Sequence, residues 1–173
     1  MALTSSMMAF LRATETGSND FGGPTFSPSI EQTISLTDGT SAGMANQLWV
    51  DERTVASATN DDLDLAGVLT SAFGSTLTMV KMVGLLVINA PKNSATANTT
   101  NLTIGGATNP FVGFLGGTTP TIGPIRPGGF VFLGCSDAGG IGTITASTAD
   151  ILRIANSSGA AATYQIGILA RSA

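Results

Sequence analysis

The run TLTMVKMVGLLVINA, residues 76–90, limits the folds open to this chain more than any other segment. Read as an extended chain, it puts Leu77, Met79, Val83, Leu85 and Val87 on one side, with Lys81 among them. Val80, Met82, Leu86 and Ile88 fall on the other. Apolar side chains on both sides mark a strand that is covered on both faces. At about 3.3 Å per residue an unbroken run would extend roughly 45 Å, longer than most strands, so a bend or bulge is expected at Gly84. A helix is the alternative, since residues 69–86 also carry some helical spacing. Gly74, Gly84 and the serines and threonines of that segment oppose it. Lys81 interrupts the run, and Asn89 and Pro91 bound it, so it falls short of the uncharged apolar stretch that a membrane-spanning helix needs.

The rest of the chain reads as short strands between turns. In SIEQTISLTDGT, Ile30, Ile34 and Leu36 share one face, while Glu31, Thr33, Ser35 and Thr37 share the other, the period of a half-buried strand. NQLWVDERTVAS is a second strand, with Leu48, Val50 and Glu52 on one face and Trp49, Asp51 and Arg53 on the other. NDDLDLAGVL is a third, short and acidic. TTNLTIGG, NPFVGFLGG (residues 109–117), PIRPGGFVFLG, GTITAST, DILRIANSSG and ATYQIGILARS follow, and Pro127-Gly128 sits at the centre of a type II turn. Turn signals at this spacing predict an all-β chain: an antiparallel β-sandwich over residues 29–173, Greek-key or jelly-roll-like.

Residues 1–28 differ from that pattern. Met7, Met8, Phe10 and Leu11 cluster, and a Gly-, Pro- and Ser-rich stretch follows. The expectation is a short N-terminal arm and linker that grips a neighbour; a short helix packed on its own domain is the alternative. The start lacks the basic n-region of a secretory signal.

Charge is scarce. Only 18 of 173 residues are charged, or 10%, against about 25% in a typical soluble domain. A compact monomer of 17.4 kDa would expose roughly 7,800 Å², and monomers seldom expose large contiguous apolar patches. The scarcity points to a chain that lives in an assembly. The net charge of −4 gives no bulk attraction to nucleic acid or to acidic membranes, so neither is expected as a partner. Residues 1–64 carry nine acids and two bases, and residues 65–173 two acids and five bases. That asymmetry could steer contacts between subunits.

The residues that usually carry chemistry are few. With no histidine, the commonest general base, the usual triads and the His-containing zinc sites are excluded. Cys135 is the sole cysteine, so it forms no disulfide within the chain; it reads as a small buried hydrophobe. Asp61, Asp62 and Asp64 could hold calcium, but a solvated acidic strand edge fits them better. A glycosidase-like pair drawn from Asp51, Glu52, Asp137 and Asp150 has no local support. Asn-x-Ser/Thr triplets begin at Asn98, Asn101 and Asn156, as expected by chance in so Asn- and Thr-rich a chain. Trp49 reads as a core or interface anchor. The expectation is a protein that is not an enzyme and that uses no catalytic residue, metal or cofactor.

From residue 68 onward the order of motifs resembles a family of small structural proteins encoded near the capsid genes of tailed bacteriophages. The matching positions are Thr78–Lys81, the LTIGG strand at Leu102–Gly106, the PGG turn and strand at Pro127–Leu133, the segment Thr145–Asn156 and the final strand Tyr164–Ile168. The resemblance implies a virion component: a capsid decoration (cement) protein with a jelly-roll-like sandwich. It would bind the major capsid protein on the outer surface of the head and act there as a homotrimer. Met7, Met8, Phe10, Leu11 and Trp49 are the expected contacts to the shell or to a sister subunit. A receptor- or carbohydrate-binding head of a fibre or tail protein is the alternative.

Overall fold

The computed structural model describes residues 2–94, 96–111 and 113–173, and its regular structure is strand throughout. In chain order the strands are β1 (Ser5–Arg12), β2 (Glu15–Thr16), β3 (Thr25–Phe26), β4 (Ser29–Leu36), β5 (Gln47–Val55), β6 (Asn60–Asp64), β7 (Lys81–Ile88), β8 (Leu102–Gly105), β9 (Thr121–Ile125), β10 (Phe130–Gly134), β11 (Gly142–Thr143), β12 (Ile151–Asn156) and β13 (Ala162–Arg171). Among the described residues no helix is long and apolar enough to cross a membrane.

Two antiparallel sheets face each other. One runs β10-β7-β13-β5, with β11 also paired to β7, and the other runs β6-β12-β8-β9. Alternation in the strands supplies the core between them. From the first sheet come Trp49, Met82, Leu85, Val87, Tyr164, Ile166 and Ile168, and from the second Leu63, Leu102, Ile104, Leu152 and Ile154, all in one buried cluster. The chain passes from one sheet to the other between β5 and β6, β6 and β7, β7 and β8, β9 and β10, β11 and β12, and β12 and β13. The turn before β10 has the expected type II form: Gly128 takes φ +77° and the Gly129 amide donates to Arg126 O at 2.8 Å.

The two-sided run is a shorter strand than its apolar length, beginning at Lys81, and Leu77 and Met79 are buried ahead of it. A bulge stands at the expected place. Leu169 lies opposite Gly84 and Ala170 opposite Met82, so Val83 is an extra residue. The extra residue reverses the alternation at Met82 and Val83, while Leu77 and Met79 ahead of the strand stay in the core. Met82 therefore joins Leu85 and Val87 in the core, while Val83 turns to the outer side, the opposite of the simple period-two assignment. The segment 109–117, expected as a strand, forms none among its described residues; Val112 lies outside them.

The N-terminal region is neither a loose arm nor a helix. β1 and β4 pair antiparallel from Ser5↔Leu36 to Arg12↔Ser29, and β2 and β3 continue the same register through Thr16↔Thr25. The result is one long ribbon that crosses position 28, where the composition changes, and closes at a turn near Asn19–Gly22. Its base rests on the outer side of the β10-β7-β13-β5 sheet, where Met7, Leu36, Ala45 and Val83 form a second small core. Residues 8–27 and 29–33 are exposed on both ribbon faces. The accessible surface, 9342 Å², exceeds the roughly 7,800 Å² of a compact chain of this mass, and the projecting ribbon is the visible reason.

Candidate functional site

The ribbon is amphipathic over much of its length. Opposed residues of an antiparallel pair point to the same side, so the register places Leu36, Met7, Ile34, Ala9, Leu11, Ile30, Ala13, Pro28 and Phe26 on one face, with Ser5, Gln32 and Glu15 among them. The opposite face is mostly hydroxyl-bearing, with Met8 and Phe10 as its apolar members and Arg12 stacked over the Phe10 ring at 5.1 Å. The first face is buried only at the base, at Leu36 and Met7; Leu11, Ile30 and Phe26 are 59%, 70% and 66% exposed.

The sheet below has an outer face of matching character. Cross-strand pairing lines up three rows: Gly134, Gly84, Leu169 and Leu48; Phe132, Leu86, Gly167 and Val50; Phe130, Ile88, Gln165 and Glu52. The ribbon base covers the first row with Met7. Beside it the second row, with Ile88 and Phe130 of the third, lines a groove of about 580 Å³ that runs along the ribbon base, where Ser6, Met7 and Met8 form its rim. A second apolar patch, with Leu3 and Phe73, adjoins the groove at Leu48 and Val50.

The expected contact residues divide between these surfaces and the interior. Met8, Phe10 and Leu11 are exposed on the ribbon. Met7 is buried under it, and Trp49 is buried between the sheets, so both are core residues rather than available contacts, a correction to the expected contact set. Sequence reasoning missed Phe130, Phe132 and Val50 as parts of one surface. The signal for it was Leu86 and Ile88, the second apolar side of the two-sided run.

The carboxylates are spread out, and each has a local task. Arg53 reaches across from β5 to Asp61 on β6, with Nε to Oδ2 at 2.6 Å and Nη2 to Oδ1 at 2.9 Å, and Tyr164 Oη donates to Asp61 Oδ2 at 2.8 Å. Burial pushes Asp61 up, but the hydrogen bonds from Arg53 and Tyr164 and the Arg53 charge outweigh it and hold the carboxyl below its usual range. Asp62 pairs with Arg153 on β12 at 2.6 Å, and Asp64 caps the Ala66 amide at 2.9 Å. Asp137 and Asp150 accept from the amides of Gly140 and Ser147, Glu52 from that of Lys92, and Asp51 pairs with Arg53. Among the described residues no three His, Cys, Asp or Glu side chains gather as a metal would require.

Two of the asparagines that open glycan-like triplets are structural. Asn156 is buried and donates to the carbonyls of Val55, Ala56 and Ala160. Asn98 brackets the backbone of Thr163 with both ends of its amide, and it also donates to the buried Asn89 at 2.7 Å. Cys135 is half-buried rather than enclosed.

What the arrangement offers is apolar surface in two shapes, a projecting ribbon and an open sheet face. No family model, curated protein or solved structure matches the chain.

Proposed function

We propose that this chain is a structural protein of a tailed-phage head. It would be a decoration protein that sits as a homotrimer on the outer surface of the capsid and holds neighbouring major capsid protein subunits together. The observation that carries the proposal is the apolar ribbon beside the open sheet face, in a chain with so little charge to keep such surface wet. The motifs of the resemblance fall in or beside β7, β8, β10, β12 and β13, so they bear on a fold and not on a reaction. The repeated passage of the chain between sheets suits the jelly-roll-like topology that the resemblance implies.

A clamp of this kind works by burying surface that bridges shell subunits. At about 25 cal/mol per Å², each 1,000 Å² contributes a gross term of about 25 kcal/mol, most of it offset by the costs of association. In this proposal Phe10, with Met8 at the rim of the sheet groove, meets the shell; both are exposed on the ribbon face opposite Met7. A receptor- or carbohydrate-binding head would call for exposed Trp or Tyr on which sugars stack. The only Trp and the only Tyr of this chain are both buried.

The test is binding and stoichiometry. Purified protein mixed with expanded capsids should co-sediment, and mass measurement of intact virions should give one trimer per repeated lattice site. A handful of copies per particle, at a single vertex or on the tail, would transfer the chain to the fibre class.

A further inference from the structure

We propose that the distal half of the ribbon docks, apolar face down, on the open rows of the β10-β7-β13-β5 sheet of a second copy of this chain. This rests on the homo-oligomer proposed above and names the surfaces that form it.

The contact already exists once within the chain. Met7 seats on the outer side of that sheet over Gly84 and Gly134, and the same ribbon face then continues as Leu11, Ile30 and Phe26 with nothing beneath it. The sheet face likewise continues past its covered row as Phe132, Leu86, Gly167 and Val50; Phe132 still touches the ribbon-base cluster, but Val50 is 60% exposed and Phe130 in the next row 67%. Each surface is half used, and the unused half of one has the chemistry of the used half of the other. The ribbon's own open half lies clear of its own sandwich, exposed on both faces, so a second copy supplies the complement. A two-stranded ribbon wet on both sides is marginal in water, and such a seat removes that liability.

Length and charge agree. At about 3.3 Å per residue the open ribbon extends roughly 35 Å, and four strands about 4.8 Å apart make a sheet roughly 19 Å wide, so the ribbon can cross the whole face. Residues 1–36 carry Glu15, Asp20 and Glu31 against Arg12 alone, three acids to one base. The open rows are bordered by Lys92 near Ile88 and by Arg126 near Phe130. The acids on that border are already engaged, Asp51 by Arg53 and Glu52 by the Lys92 amide. Because the donor and acceptor surfaces differ, copies joined this way run head to tail, and a closed ring of three satisfies every ribbon and every sheet.

The test uses full-length protein and two variants at exposed positions. Leu11→Asp with Ile30→Glu disables the ribbon, and Val50→Glu disables the sheet face. Wild type should sediment as an oligomer, and each variant as a folded monomer with an unchanged circular dichroism spectrum. Mixed together, the two variants should form a one-to-one dimer, because the sheet face of the first and the ribbon of the second are intact. A monomeric wild type at micromolar concentration, an oligomer that survives both variants, or a mixture that stays monomeric would each overturn the inference. Capsid binding is scored separately. A monomer that decorates heads sinks this inference and the trimer and leaves the decoration role standing, whereas a ribbon-linked oligomer that ignores capsids sinks the decoration role and leaves this inference standing.

Discussion

The thioether of Met7 fills a socket over Gly84: a Cβ at position 84 would overlap Met7 Sδ, and one at Gly134, its partner on β10, would lie 3.1 Å from it. Two facing glycines thus let the ribbon lie close on the sheet, and the extra residue of the β7 bulge, Val83, immediately precedes Gly84. Gly84→Val should lift the ribbon base at a cost of about 1–3 kcal/mol, the usual penalty of overpacking. Limited proteolysis should then cut the chain within residues 8–33. Adding Met7→Ala empties the socket, so the double variant should recover part of that loss, a coupling that denaturant unfolding of the four-member cycle would measure. Strict additivity would mean that the two residues do not meet.

Met8 and Phe10 lie on the ribbon face opposite Met7 and are 61% and 49% exposed. Phe10→Asp should therefore leave folding and oligomerisation intact and abolish co-sedimentation with capsids; Met8, at the rim of the sheet groove, is left unchanged. Point substitution is the sounder test here, because removal of the N-terminal strand would also remove Met7 and leave β4 unpaired. Capsid binding that persists in this variant takes Phe10 out of the proposed shell contact.

Much of the fold was legible because period-two alternation acts locally. Ile30, Ile34 and Leu36 share a face as the sequence implies, and so do Leu48 and Val50. What alternation does not state is the partner. The strand at Ser29–Leu36 pairs with Ser5–Arg12 at the base of a long hairpin whose turn lies near Asn19–Gly22, and nothing in either segment names the other. Nor does alternation survive a bulge: Gly84 signalled the irregularity, but which residue was extra depended on the β13 register. The site was half legible. Met8, Phe10 and Leu11 stood out as a cluster, while Val50, Phe132 and Gly167 meet only because three strands far apart in sequence lie side by side.

Arg171 is fully buried, and backbone carbonyls neutralise its need for partners. Nε donates to Met44 O at 2.8 Å, Nη1 to Asp137 O at 2.8 Å and Ala138 O at 3.2 Å, and Nη2 to Ser136 O at 3.2 Å. It ties the end of β13 to the loops flanking the ribbon base. Arg171→Met keeps the volume and removes every donor, so at about 1–3 kcal/mol for each buried group left unsatisfied the loss should be at least about 3 kcal/mol. Arg171→Lys should recover only part of it, since a compact ammonium cannot span the same fork of acceptors. Thermal unfolding of the three proteins would settle the order; equal stability of Met and Arg would show that water already satisfies those carbonyls.

The pH dependence of stability should have an acid limb from Asp61 and an alkaline limb from Tyr164. Asp61 is held below its usual range in the folded chain, so its contribution is full above the unfolded value of about 4 and fades as the pH falls through the lower folded value. Tyr164 is shifted the other way: burial, then the hydrogen bond to Asp61 and the charge of that carboxylate, raise its phenol. The folded chain keeps the proton while the unfolded chain loses it, so that contribution is full below a pH of about 10 and is lost as the pH rises toward the folded value. Tyr164 is the only tyrosine, so phenolate absorbance reports it alone. It should appear together with the loss of β-sheet circular dichroism, and Tyr164→Phe should flatten the alkaline limb while Asp61→Asn flattens the acid one. Phenolate that forms at its ordinary pH in a still-folded protein would place the Tyr164 hydroxyl in water rather than on Asp61.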